Sequence, residues 1–175
     1  MSLTPICHNG APVPLDHLAP LVIACPCNVI GRDLTINAIF RTHCYTEKFD
    51  PIKHTRDQIV LYDAPARPRV FCPIRHRLSF KLPELISVIP KEKVFQTSQR
   101  RNYLYAAKMS AYDGIYEIYF MLQKANGGST DLRLTVESAY PVVEASPVPN
   151  RPNKIRFAVL ALKVFRCEAV RFAAR

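Results

Sequence analysis

The sequence predicts an α+β protein: an antiparallel sheet of at least four strands with a short helix on one face, joined to a Pro-rich N-terminal arm and a small β-hairpin. Three observations predict it. The run 131–141 (DLRLTVESAYP) sets Leu132, Leu134 and Val136 against Arg133, Thr135 and Glu137, the two-residue period of a half-buried strand. Asn126-Gly127-Gly128, just before it, supplies the positive backbone angles of a tight hairpin whose other arm is 115–122 (IYEIYFML). Over 82–89, Leu82, Leu85, Ile86 and Ile89 share one helical face, and Pro83 suits a first helical turn.

The elements follow in order. Residues 1 to about 30 carry Pro5, Pro12, Pro14, Pro20 and Pro26, too many for a regular element; they read as an extended arm in which 21–25 (LVIAC) is a short strand or a buried plug. The stretch 33–49 is read as a strand from Thr35, Ile36, Phe40, Thr42 and Tyr45, although Leu34, Ile36, Ile39 and Phe40 would also form a helical stripe. Runs 58–62 and 69–72 flank a turn forced by Pro65 and Pro68, which makes the small hairpin. After the helix, closed by Pro90, a segment exposing Arg100 and Arg101 leads into sheet strands at 103–109, 115–122, 131–141 and 155–165. The division expected is 1–65, arm and accessory β elements, and 66–175, a basic α+β domain, together one compact unit.

With 49% apolar residues, the 175-residue chain can build a core, and no apolar run reaches the roughly 18 residues of a membrane span. The first residues carry no basic cluster followed by an apolar segment, so no secretory signal is read and no membrane partner is expected. Six cysteines at 7, 25, 27, 44, 72 and 167 form no CxxC pair, which favours reduced thiols and a cytoplasmic setting. Charge is divided unevenly. Residues 1–65 hold five Lys/Arg and six Asp/Glu, whereas 66–175 hold nineteen and eight, so the whole excess behind the net +10 lies in the second part. A surface of that kind draws phosphates, and RNA or another polyanion is the expected partner.

Arg75-His76-Arg77 is the sharpest local signal for chemistry. A histidine can give and take a proton near neutrality, and flanking arginines can hold a phosphate, a combination suited to phosphodiester cleavage. The bland alternative is a surface histidine between two solvated arginines. Lys108 and Arg133 extend the expected phosphate-binding surface. A zinc site competes, with Cys72 and His76 four residues apart and His43-Cys44 as a second pair, but Pro73 interrupts the first pair; no metal is expected. No Gly-rich phosphate loop, GxSxG elbow or HExxH motif occurs, so no cofactor is implied. Tyr103, Tyr105, Tyr116 and Tyr119 could stack on bases, yet alternate strand positions more often mean sheet packing.

Two short runs carry a family likeness: Arg75-His76 before the helix and Glu137-Ser138-Ala139-Tyr140-Pro141 at the end of a late strand. Over about residues 70–166 the chain resembles the barnase, EndoU and colicin-type (BECR-fold) ribonuclease toxins. The resemblance implies His76 as acid or base, Ser138 and Tyr140 as holders of the scissile phosphate, and Glu137 or Arg133 as further candidates. Strict alternation opposes part of this set, because it places Ser138 and Tyr140 with Leu134 and Val136, away from Thr135 and Glu137, unless a β-bulge intervenes.

Two functions are therefore expected from different classes. One is a metal-independent ribonuclease of the toxin type that uses the ribose 2′-hydroxyl as nucleophile. The other is a non-catalytic basic module that binds nucleic acid, a protein partner or an inhibitor during stress or stationary-phase adaptation. A zinc-stabilised structural protein stands third.

Overall fold

The computed structural model describes residues 5–97, 102–109, 112–142 and 154–170. A two-residue ladder, β1 (Cys7–His8) with β2 (Ala11–Pro12), opens the chain, followed by a 3-10 turn at Asp16–Leu18 and strand β3 (Leu21–Cys25). Then come β4 (Leu34–His43), β5 (Thr46–Lys48), β6 (Ile59–Tyr62) and β7 (Pro68–Phe71). Helices α1 (Pro73–Ser79) and α2 (Leu82–Val88) precede β8 (Lys93–Gln96), β9 (Asn102–Met109), β10 (Tyr112–Lys124) and β11 (Leu132–Val142). A short β12 (Lys154–Arg156) runs into α3 (Phe157–Phe165).

The main sheet has seven strands in the order β12-β8-β9-β10-β11-β4-β3, and a smaller one has the order β5-β7-β6. Neighbours in the main sheet run antiparallel except β11 and β4, which pair in parallel from Leu132 beside Ile36 to Ser138 beside His43. The α+β class stands as the sequence predicted. The early stretch supplies two of the sheet's strands: β4 buries Leu34, Ile36, Ala38 and Phe40 at every second residue, the pleat's own period. These side chains join one core with Leu18 and Ile23, with Leu82, Ile86 and Ile89 of the α2 region, and with Phe157, Leu160 and Ala161 of α3. The hairpin between β10 and β11 turns through Gly127 and Gly128, at φ 85° and 94°, angles that side chains beyond glycine rarely take.

Two expected elements differ. The run 155–165, expected as the fourth sheet strand, is strand only to Arg156 and then becomes α3. Its almost unbroken apolar composition fits either period; burial of Phe157, Leu160 and Ala161 at spacings of three and four, with the helix formers Ala158 and Leu162 beside them, decides for helix. The segment of Arg75-His76-Arg77, read as the approach to the helix, is itself α1, begun by Pro73 in its first turn. Among the described residues, no helix is long and apolar enough to cross a membrane.

Arg32 and Asp131 tie the start of β4 to the start of β11. The guanidinium donates from Nη1 to Oδ2 and from Nη2 to Oδ1, both at 2.7 Å, and the Thr35 amide donates to Oδ2 at 2.9 Å. These bonds hold the Asp131 carboxyl down at about 2, against an ordinary 3.8, with the hydrogen bond from Arg32 the largest cause.

Candidate nucleic-acid interface

His76 faces the N-terminal segment. Its Nε2 donates to the carbonyl oxygen of Pro14 at 2.8 Å. The ring lies 5.3 Å from Phe71, 5.2 Å from Phe80 and 5.6 Å from His17, centroid to centroid. His17 stacks on Phe80 at 3.8 Å and meets the Ser79 hydroxyl at 2.7 Å; since that hydroxyl donates to the His76 carbonyl, the imidazole of His17 donates to it. The histidine expected as acid or base thus fastens residues 14–17 onto α1.

Arg75, one residue earlier and about 100° around the helix, points to the sheet. It donates to the carbonyl oxygens of His43 and Thr46 at 3.2 and 3.0 Å, and its guanidinium carbon stands 5.1 Å from the Tyr140 ring centroid. The structure therefore brings Arg75 and Tyr140 together. Arg77 is exposed on α1, Arg133 is exposed on β11, and the side chain of Lys108 lies outside the described residues, as do Arg100 and Arg101.

A bulge at Glu137 rearranges the end of β11. Against both β10 and β4 the register slips between Val136 and Ser138, leaving Glu137 without a cross-strand partner. The core-facing series, Leu132, Leu134, Val136, resumes at Ala139 after a gap of three. Ser138 and Tyr140 consequently share a face with Arg133 and Thr135, which corrects the strict alternation read from the sequence. On that face Tyr140 stacks with Tyr119 at 5.5 Å, and the Tyr119 hydroxyl donates to buried Glu117 at 2.6 Å. Burial, followed by the bond to Glu117, pushes the Tyr119 hydroxyl's pKa far up. Tyr103, Tyr105 and Tyr116 belong to the core, as sheet packing requires.

The second end of the sheet carries a basic edge. In β12 and β8, Arg156 pairs with Lys93 and Lys154 with Phe95, so three cations and a ring share one face while Ile155 and Val94 turn inward. Lys154 Nζ stands 5.4 Å from the Phe95 ring centroid. Like charges placed directly opposite each other, as Lys93 and Arg156 are, are destabilising.

Beside Glu137, the ends of β4 and β6 enclose a cleft of about 710 Å³. His43 Nε2 meets Asp63 Oδ2 at 2.6 Å, and Arg67 and Arg69 each lie 3.8 Å from the same carboxylate. The His43 pKa is lowered, chiefly by burial and then by Arg69 and Arg75 against the opposing bond to Asp63, so the imidazole is neutral at neutral pH. Sequence reasoning missed this assembly, which draws on 41–43, 60–67 and 137. Of the four residues weighed for zinc, His43 is bound to Asp63, His76 to Pro14, and Cys44 is wholly buried, its thiol sulfur 3.9 Å from the Val136 carbonyl oxygen and its pKa pushed up to about 12. Among the described residues, no three His, Cys, Asp or Glu side chains gather as a metal site.

Comparison with known proteins overturns the ribonuclease-toxin resemblance. The likeness rested on element order and short runs, and the order differs: the fourth expected strand is helix α3, and β11 pairs in parallel with β4, which lies outside residues 70–166. The family model that matches is the YjaZ family, over residues 5–165. Protein YjaZ of Escherichia coli (strain K12) is 25% identical over 128 residues, covering 73% of this chain and 68% of that protein. No solved structure matches. With nearly its whole length matched, the chain belongs to the YjaZ family.

Proposed function

We propose that this protein is a non-catalytic module that binds single-stranded RNA across the basic edge of its main sheet. The observation that carries the reading is the cross-strand set Lys93–Arg156 and Lys154–Phe95. Cations that track a phosphate backbone, interleaved with a ring on which a base can stack, are the means by which sheets hold single strands. The charge division supports it, since all the positive excess lies in 66–175. Lysines on an edge strand also deter sheet-to-sheet aggregation, a role compatible with binding. No acid-base role is assigned to His76, whose Nε2 is engaged by Pro14. The reading places the protein in the cytoplasm, supported by six free cysteines.

The test is fluorescence anisotropy with labelled single-stranded RNA, duplex RNA and single-stranded DNA. Single-stranded RNA should bind most tightly, and the double variant Lys93→Glu/Arg156→Glu should lose roughly tenfold or more in affinity with an unchanged melting temperature. Equal binding by that variant, or capture of an acidic protein in place of RNA, would displace this reading.

A further inference from the structure

We propose that the cleft between β4 and β6 is a binding site for a mononucleotide-sized ligand carrying a phosphate monoester. The site stands apart from the basic edge and does not rest on the RNA reading. Its volume, about 710 Å³, lies in the range of small-molecule pockets. Its walls divide by chemistry.

One wall is β6, where Val60 and Leu61 are half-buried and the Tyr62 ring is exposed. That strip suits a flat, weakly polar ring, which gains contact area there at little entropic cost. The rest of the lining carries charge. Arg41 and Arg67 line the cleft; Arg69 and Arg75 stand behind, close enough to push the His43 pKa down. The lining is balanced in charge, Arg41 and Arg67 against Asp63 and Glu137, with Arg69 3.8 Å from Asp63. Planar guanidinium groups match the oxygens of a phosphate. Arg67 is held only loosely, 3.8 Å from Asp63, with its side chain 72% exposed, so it can turn to a phosphate without leaving Asp63 unpaired, because His43 remains at 2.6 Å.

Glu137 supplies the third requirement. The bulge that removes it from the strand ladder turns it into the cleft, where a carboxylate accepts hydrogen bonds from ribose hydroxyls or an exocyclic amine. Phosphate, ring and hydroxyl donors together describe a nucleoside monophosphate. An inorganic anion would leave the β6 wall and Glu137 unused.

The experiment is calorimetric titration of the full chain with AMP, adenosine, ribose 5-phosphate and inorganic phosphate. AMP should bind with one site per chain and more tightly than any of its fragments. Arg67→Ala should weaken AMP roughly tenfold or more. Tyr62→Ala should weaken AMP and adenosine but leave ribose 5-phosphate unchanged, and Glu137→Gln should weaken AMP but leave inorganic phosphate unchanged. The Lys93→Glu/Arg156→Glu variant should bind AMP as the parent does, which separates this site from the RNA surface. Absence of AMP binding, or AMP affinity indifferent to both Arg67→Ala and Tyr62→Ala, would overturn the proposal. Arg67 and Tyr62 are exposed side chains, so their loss leaves the fold intact for the measurement.

Discussion

His76 and Pro14 are joined by a hydrogen bond of 2.8 Å from imidazole Nε2 to backbone carbonyl, so this ring pins the N-terminal segment to α1. His76→Ala removes the bond and part of an aromatic cluster with Phe71, Phe80 and His17. The variant should lose about 1–3 kcal/mol of stability. Its affinity for single-stranded RNA should stay within about twofold of the parent's, because the basic edge lies elsewhere. Thermal melting and anisotropy on the same preparation check both parts.

The histidines also set an acid limb of stability. His17 and His43 both have pKa values below the ordinary 6.5, with burial the largest cause in each. A folded pKa below the unfolded one means that the unfolded chain binds more protons, so stability is full above 6.5 and falls as pH drops through it. The melting temperature should therefore decline between about pH 7.5 and about pH 5. His17→Phe keeps the stack on Phe80 and removes one titrating group, and its decline should be shallower.

Which parts of this were legible in the sequence follows from what each pattern depends on. Strands β4 and β11 turn alternate residues such as Leu34, Ile36, Leu132 and Leu134 to the core, and that asymmetry is written in their alternation. α3 was misread because apolar residues fill both faces of 155–165, which leaves the period undefined. The parallel pairing of β11 with β4 joins residues about a hundred positions apart in the chain, and no local pattern encodes it. The Glu137 bulge left no glycine to mark it, although the cluster of polar residues at Glu137-Ser138 was a hint. The cleft could not be foreseen: His43, Asp63 and Arg67 are ordinary residues until β4 and β6 meet.

Arg32 and Asp131 offer a second stability test. Asp131→Asn abolishes the charge that both guanidinium nitrogens share, and the melting temperature near neutral pH should fall by about 2–4 °C, the scale expected for a chain of this size. Because the Asp131 pKa is depressed to about 2, its contribution is present above the unfolded value of 3.8 and is lost as pH falls toward 2. The parent and variant curves should converge there.

Two core phenols give a test of opposite sign. Tyr45 and Tyr116 are wholly buried, and neither hydroxyl finds a hydrogen-bond partner among the described residues. Replacing either by phenylalanine removes a polar group without removing a bond, so Tyr45→Phe and Tyr116→Phe should be neutral or stabilising by up to about 1 kcal/mol. Chemical denaturation with an unchanged slope would measure it.

The central claim is that the basic edge neutralises RNA phosphates, and the salt dependence of binding tests it most directly. Each cation that neutralises a phosphate on a single strand contributes about −0.7 to the slope of log affinity against log salt, so Lys93, Lys154 and Arg156 together predict a slope of about −2 or steeper. The Lys93→Glu/Arg156→Glu variant should retain a slope shallower by at least about 1.4. A parent slope near zero, or identical slopes for parent and variant, would contradict the account.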